Sequence, residues 1–192
     1  MGIKKSPKGF TFIELIIVTA VIGVVLPALF AIIFSVLRQQ IKVNRLAEVK
    51  RQGDYVLNVI QSIINNNGIG IYYTTDPSTL DPAEEVCYDD VNNSYGPTDG
   101  NNFYFMDNYE KWFSFYLDGT KISSDAAILA APVDLTTPAV RITNFEIGCN
   151  RTSLYSPPLV TVKFTIEYNT DSTRAEDKAS LNYQTLIKLK NY

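Results

Sequence analysis

The chain has 192 residues, 46% hydrophobic, 12% aromatic and 19% charged, with a formal net charge of −3 and no histidine. Without histidine, the commonest general base and metal ligand is missing, which excludes histidine triads, HExxH sites and most zinc sites. The mild acidity argues against a nucleic-acid surface, which needs clustered Lys and Arg.

Lys4, Lys5 and Lys8 lead into an apolar run, Phe10 to Leu37, broken only by Thr11, Glu14, Thr19 and Ser35. As a helix rising 1.5 Å per residue, this run spans ~40 Å, more than the ~30 Å hydrocarbon core of a bilayer. The lysines before it predict a cytoplasmic N-terminus and the bulk of the chain outside. A cleavable secretory signal would have an apolar region of only ~7–15 residues and a small-residue exit. Gly23 and Pro27 stand four apart. Proline lacks an amide hydrogen and crowds the carbonyl four residues back, so a helix kink is expected there. Glu14 is the costly residue, since a carboxylate in a membrane span costs roughly 2.5–3.5 kcal/mol. It calls for a partner.

The segment Lys8-Gly9-Phe10-Thr11-Phe12-Ile13-Glu14, followed by the long apolar run, resembles the class III signal of type IV pilins and type II secretion pseudopilins. The resemblance covers about the first 40 residues. It implies that a prepilin peptidase cuts between Gly9 and Phe10 on the cytoplasmic side and methylates the new amine of Phe10. It also implies that Glu14 pairs with the Phe10 amine of a neighbouring subunit as the helix enters a filament. The physics agrees: methylation keeps the positive charge, and two opposite charges in a low-dielectric medium offset each other's burial. The bland reading of Glu14 is a carboxylate near the headgroups, favoured by the helix N-terminus.

Past Leu37 the helical period continues through Leu46, Val49, Gly53, Val56, Leu57, Ile60, Ile63 and Ile64, one apolar stripe at spacings of three and four. Asn65-Asn66-Asn67-Gly68 reads as the stop, with Gly68 suited to a left-handed C-cap. One helix from Phe10 to about Asn65 would be ~80 Å long.

The remainder reads as β. Expected strands are Ile69–Thr75, Phe103–Phe105, Lys111–Leu117, Thr120–Ser123, Val140–Cys149, Leu159–Tyr168 and Leu181–Leu189, with Asp118-Gly119 as a hairpin turn. The last two alternate most clearly and are expected to pair antiparallel. Asp125–Pro138 is ambiguous, and its Ala-Ala-Ile-Leu-Ala-Ala stretch could form a short helical turn. The fold class is therefore α+β, a long N-terminal helix packed on an antiparallel β-sheet, which is the pilin-like architecture the resemblance implies. The expected divisions are a leader at 1–9, a transmembrane or filament stem at 10–37, an amphipathic second half of the helix at 38–67, and an extracytoplasmic β-rich domain at 68–192.

Cys87 and Cys149 are the only cysteines. Outside the cytoplasm they can form a disulfide worth roughly 3–4 kcal/mol in the chain-entropy model; two free buried thiols are the alternative. The acidic loop Asp76–Asn102 raises calcium, since several pseudopilins bind it in such a loop. Asp90-Val-Asn92-Asn-Ser94-Tyr-Gly96 begins like an EF-hand, but its glycine is one place late and the distal glutamate is absent. A solvated loop is the default, so no cofactor or metal is expected. No nucleophile has a histidine base, and no enzymatic activity is expected.

The resemblance thus implies a non-enzymatic structural subunit, anchored once in a bacterial inner membrane with its globular domain periplasmic or extracellular. Its partners would be prepilin peptidase, other pilins or pseudopilins through the N-terminal helix, and the inner-membrane assembly platform. The hairpin after Pro157-Pro158 resembles that of J-type minor pseudopilins, which favours a type II secretion system. A minor type IV pilin or DNA-uptake pseudopilin is the near alternative. A reading of another class is a signal-anchored binding module that presents the aromatic strands around Trp112.

Overall fold

In a computed structural model the described residues are 9–74, 77, 80, 87, 102–150 and 156–189. The chain divides after Ile41 into two compact units. A single helix, α1 (Phe12–Asn67), contributes to both.

In the first unit, α1 starts two residues later than the apolar run itself. It then continues without interruption through Gly23 and Pro27. The Thr19 hydroxyl is satisfied inside the helix, 3.0 Å from the carbonyls of both Leu15 and Ile16. Every side chain from Phe12 to Leu37 is exposed, and the helix holds a segment long and apolar enough to cross a membrane.

In the second unit, α1 buries Val49, Gln52, Gly53, Val56, Ile60 and Ile64. These positions recur at three and four, the stripe that a core-facing helix requires. Leu46, expected in that stripe, is exposed, and Gln52 takes a buried place instead. Gln52 is tolerated because its amide donates to Glu48 Oε1 and Thr137 Oγ1, both at 3.1 Å, so no polar group is left orphaned.

The helix packs on antiparallel β-sheet, as expected, arranged as two sheets. One is five-stranded, in the order β1 (Gly70–Thr74), β2 (Asn102–Met106), β3 (Trp112–Asp118), β4 (Lys121–Ala126) and β5 (Val133–Asp134). The other is three-stranded, in the order β6 (Val140–Asn150), β7 (Leu159–Tyr168) and β8 (Ser180–Lys188). All pairings are antiparallel. One core joins α1 to both sheets through Val56, Ile60, Ile64, Phe105, Phe115, Val162, Phe164 and Ile187.

One local expectation at the end of α1 is corrected. Gly68 does not adopt the left-handed conformation; Gly119 is the one described glycine with positive φ. A side chain is excluded at Gly68 by crowding, because a Cβ would stand 2.8 Å from the Ile64 carbonyl oxygen and 3.0 Å from Leu189 Cδ2. The Gly68 N–H still closes the helix on that carbonyl at 2.9 Å. The Ala-rich stretch, ambiguous in the sequence, forms a turn closed by the Leu129 N–H on the Ala126 carbonyl at 2.9 Å and leads to the two-residue β5. The β3–β4 hairpin does form where expected, with Gly119 at φ +59 in the first position of a two-residue loop, where a II′-type turn requires glycine.

Candidate functional site

The N-terminus of α1 is the place where costly chemistry and unusual exposure coincide. Phe10 is 81% exposed and Phe12 79%, and nothing lies within 4 Å of a Cβ built on Gly9. Thr11 is the residue at which the helix begins: its carbonyl accepts from the amides of Glu14 (3.1 Å) and Leu15 (3.2 Å). Glu14 lies in the first turn, and its Oε2 accepts a long hydrogen bond, 3.5 Å, from the Thr11 amide. This is one half of a capping box, in which a Glu three residues into the helix reaches back to the amide of the capping Thr. It serves an amide that the helix itself leaves unpaired. The Thr-x-x-Glu spacing that signals this box is present in the sequence as Thr11 and Glu14.

Two consequences follow for a positive group placed at Phe10. The helix N-terminus carries roughly half a positive charge, which disfavours a cation there and favours the Glu14 carboxylate. Glu14 is the acidic side chain in the first turn of α1.

The structure joins Cys87 and Cys149 in a disulfide, with Cα atoms 5.9 Å apart. Cys149 lies on β6 near its end, and Cys87 has a φ of 78°. The calcium-like stretch Asp90–Gly96 lies outside the described residues. Among the described residues, no group of three His, Cys, Asp or Glu side chains is arranged to hold a metal ion.

The aromatic strands do not form the exposed face that a binding module around Trp112 requires. Phe105, Phe113 and Phe115 are buried and pack on one another, with ring centroids 5.3–6.4 Å apart. Tyr104 is also buried and meets Trp112 edge-on at 5.5 Å. The aromatic payload of β2 and β3 goes into the core and its margin.

Residues 4–26 match the prokaryotic N-terminal methylation motif. This is the prepilin-type motif of type IV pilins and pseudopilins. No curated protein and no solved structure matches the chain.

Proposed function

We propose that the chain is a pilin-like structural subunit. In this reading it is held by α1 in a bacterial inner membrane, with its globular unit on the far side. A prepilin peptidase cuts it between Gly9 and Phe10 and methylates the Phe10 amine. The subunit then assembles with other pilins or pseudopilins through α1 at an inner-membrane platform. The observation that carries the reading is the matched motif at 4–26 opening a helix whose side chains from Phe12 to Leu37 are all exposed.

The mechanism is electrostatic. Cleavage turns the Phe10 amide into a cation at the positive end of the helix dipole, an unfavourable place for it. Glu14, until then the acceptor for the Thr11 amide, becomes the carboxylate that offsets this charge. In the filament the pair forms between neighbours, sets the axial register and lets both charges leave water together. The long hydrogen bond to Thr11 is weak enough to be exchanged for this contact. Replacing Glu14 with Ala then weakens filament incorporation and leaves membrane insertion intact. Normal incorporation of that variant contradicts the pairing role.

The more specific assignment is a minor pseudopilin of a type II secretion system. It is supported by the large, irregular β unit and the terminal β7–β8 hairpin. Co-purification with type II secretion components from the native host tests it, and recovery with pilus components alone contradicts it. The Cys87–Cys149 disulfide supports an extracytoplasmic globular unit, because such bonds persist in oxidising compartments. Peptide mapping of the native protein without reductant checks that bond, and two free thiols contradict this placement.

A further inference from the structure

At one end of the three-stranded sheet lies a cleft of about 450 Å³ lined by Arg141, Glu167, Tyr168, Thr170, Lys178 and Ser180. Arg141 faces Glu167 across β6 and β7, and Glu167 faces Ser180 across β7 and β8. The three form a row on the sheet face opposite the buried Ile166. The segment between β7 and β8 that closes the cleft is pinned at its base. The Tyr168 amide donates to Ala179 O (2.8 Å), and the Asn169 backbone and side-chain amides donate to Ala139 O (3.0 Å) and Pro138 O (2.9 Å). The cleft is therefore formed before any ligand arrives.

Its lining offers more donors than acceptors. Glu167 Oε2 takes two guanidinium N–H groups of Arg141, from Nε (3.2 Å) and Nη2 (3.1 Å). A guanidinium has five such groups, so the majority remain uncommitted to Glu167. Lys178 has no carboxylate partner among the described residues. Two cations against one carboxylate leave one net positive charge, in a chain whose formal charge is −3. The volume falls within the range of small-ligand sites, and the charged side chains among its lining residues favour a charged occupant.

We infer that this cleft binds a carboxylate-bearing ligand, with Lys178 and the free edge of Arg141 as its charged contacts and the hydroxyls of Thr170 and Ser180 beside them. A monoanion neutralises the cleft. A phosphate dianion would leave uncompensated negative charge against Glu167, so a carboxylate fits better. This inference stands independently of the filament reading.

The test uses the full chain, ¹⁵N-labelled in detergent micelles at constant ionic strength, titrated with N-acetylglycine, its neutral amide, and inorganic phosphate. Saturable shifts of the Thr170 and Lys178–Ser180 amides with N-acetylglycine, and none with the neutral amide, are expected. Lys178→Gln weakens that binding roughly tenfold, the loss of one charge-assisted contact, while Lys188→Gln at the far end of β8 leaves it unchanged. Absence of saturable shifts, equal response to the neutral amide or to phosphate, or unaltered binding by Lys178→Gln overturns the assignment.

Discussion

The Tyr183 ring occupies the space that a side chain on Gly53 would need: a Cβ there would stand 2.5 Å from Tyr183 Cζ and 2.7 Å from its hydroxyl oxygen. The ring has little room to retreat. It stacks on Phe164 with centroids 5.0 Å apart and planes 9° apart, and its hydroxyl lies 3.0 Å from Asp54 Oδ1 and 3.1 Å from Lys50 O. Gly53 is thus the position that lets α1 approach β8.

Gly53→Ala should destabilise the protein by about 1–3 kcal/mol through overpacking, against the ~1 kcal/mol that alanine gains over glycine in a helix interior. At Gly23 nothing lies within 4 Å of an added Cβ, so Gly23→Ala should not destabilise. Thermal unfolding of the two purified variants checks the contrast. Equal effects at both positions would show that the close approach at Gly53 does not matter.

Tyr183 carries a pH dependence of known sign. Burial, reinforced by the hydrogen bond to Asp54, pushes its phenol from 10.0 up to about 12. A group whose folded value is raised contributes stability that is complete below the unfolded value and lost as pH rises through the folded one. Stability should therefore fall between about pH 10 and 12 in a way that Tyr183→Phe removes. Denaturant midpoints measured across that window test it, and parallel curves for the two proteins would contradict it. Asp54 has the opposite sense. Hydrogen bonds from Lys50 and then Tyr183 hold its carboxyl below the usual range, so its contribution is lost as pH falls.

Arg45 holds the end of β7 and the segment after it in three ways, the first a hydrogen bond from its Nη1 to the Asp177 carbonyl oxygen at 3.2 Å. Its Nη2 pairs with Asp177 Oδ1 at 3.0 Å, and its guanidinium lies 4.6 Å over the Tyr168 ring. A lysine keeps the charge but neither the planar stacking nor the forked donors. Arg45→Lys should speed amide exchange across residues 169–179 by roughly tenfold, about 1.4 kcal/mol of local opening, without altering exchange in β2 and β3. Unchanged exchange in that segment would assign its order to its own hydrogen bonds.

How far the sequence carries depends on which residues have local causes. Val160, Val162, Phe164 and Ile166 alternate with polar neighbours, and that alone makes β7 and its partner β8 legible. The Asp118-Gly119 turn is legible because its chemistry is local. The split into two sheets is not, because it rests on which strand edges meet, and alternation is the same in either arrangement. Gln52 was missed since its burial depends on Thr137, 85 residues away. Gly68 departs from the general rule of a left-handed cap: the Ile64 carbonyl oxygen, 2.8 Å from an added Cβ, and then Leu189 Cδ2, 3.0 Å from it, set the constraint there. At the N-terminus the signal is local, from Lys8 to Glu14, so the motif that residues 4–26 match is legible without the fold.

Glu14 has two roles that one substitution separates. Glutamine preserves an acceptor for the Thr11 amide and removes the negative charge. If charge pairing drives assembly, Glu14→Gln should fail to enter filaments as Glu14→Ala does, while both insert normally into the membrane. Filament incorporation by immunoblot of the sheared fraction reads this out. Normal incorporation of the glutamine variant with failure of the alanine variant would assign Glu14 to capping alone.

The most direct measurement is intact and N-terminal mass spectrometry of the protein recovered from membranes of its native host. The expected product is a chain that begins at Phe10 and carries one methyl group on its amine. A chain that still holds Lys8 and Gly9, with its processing enzyme present and active, would contradict it.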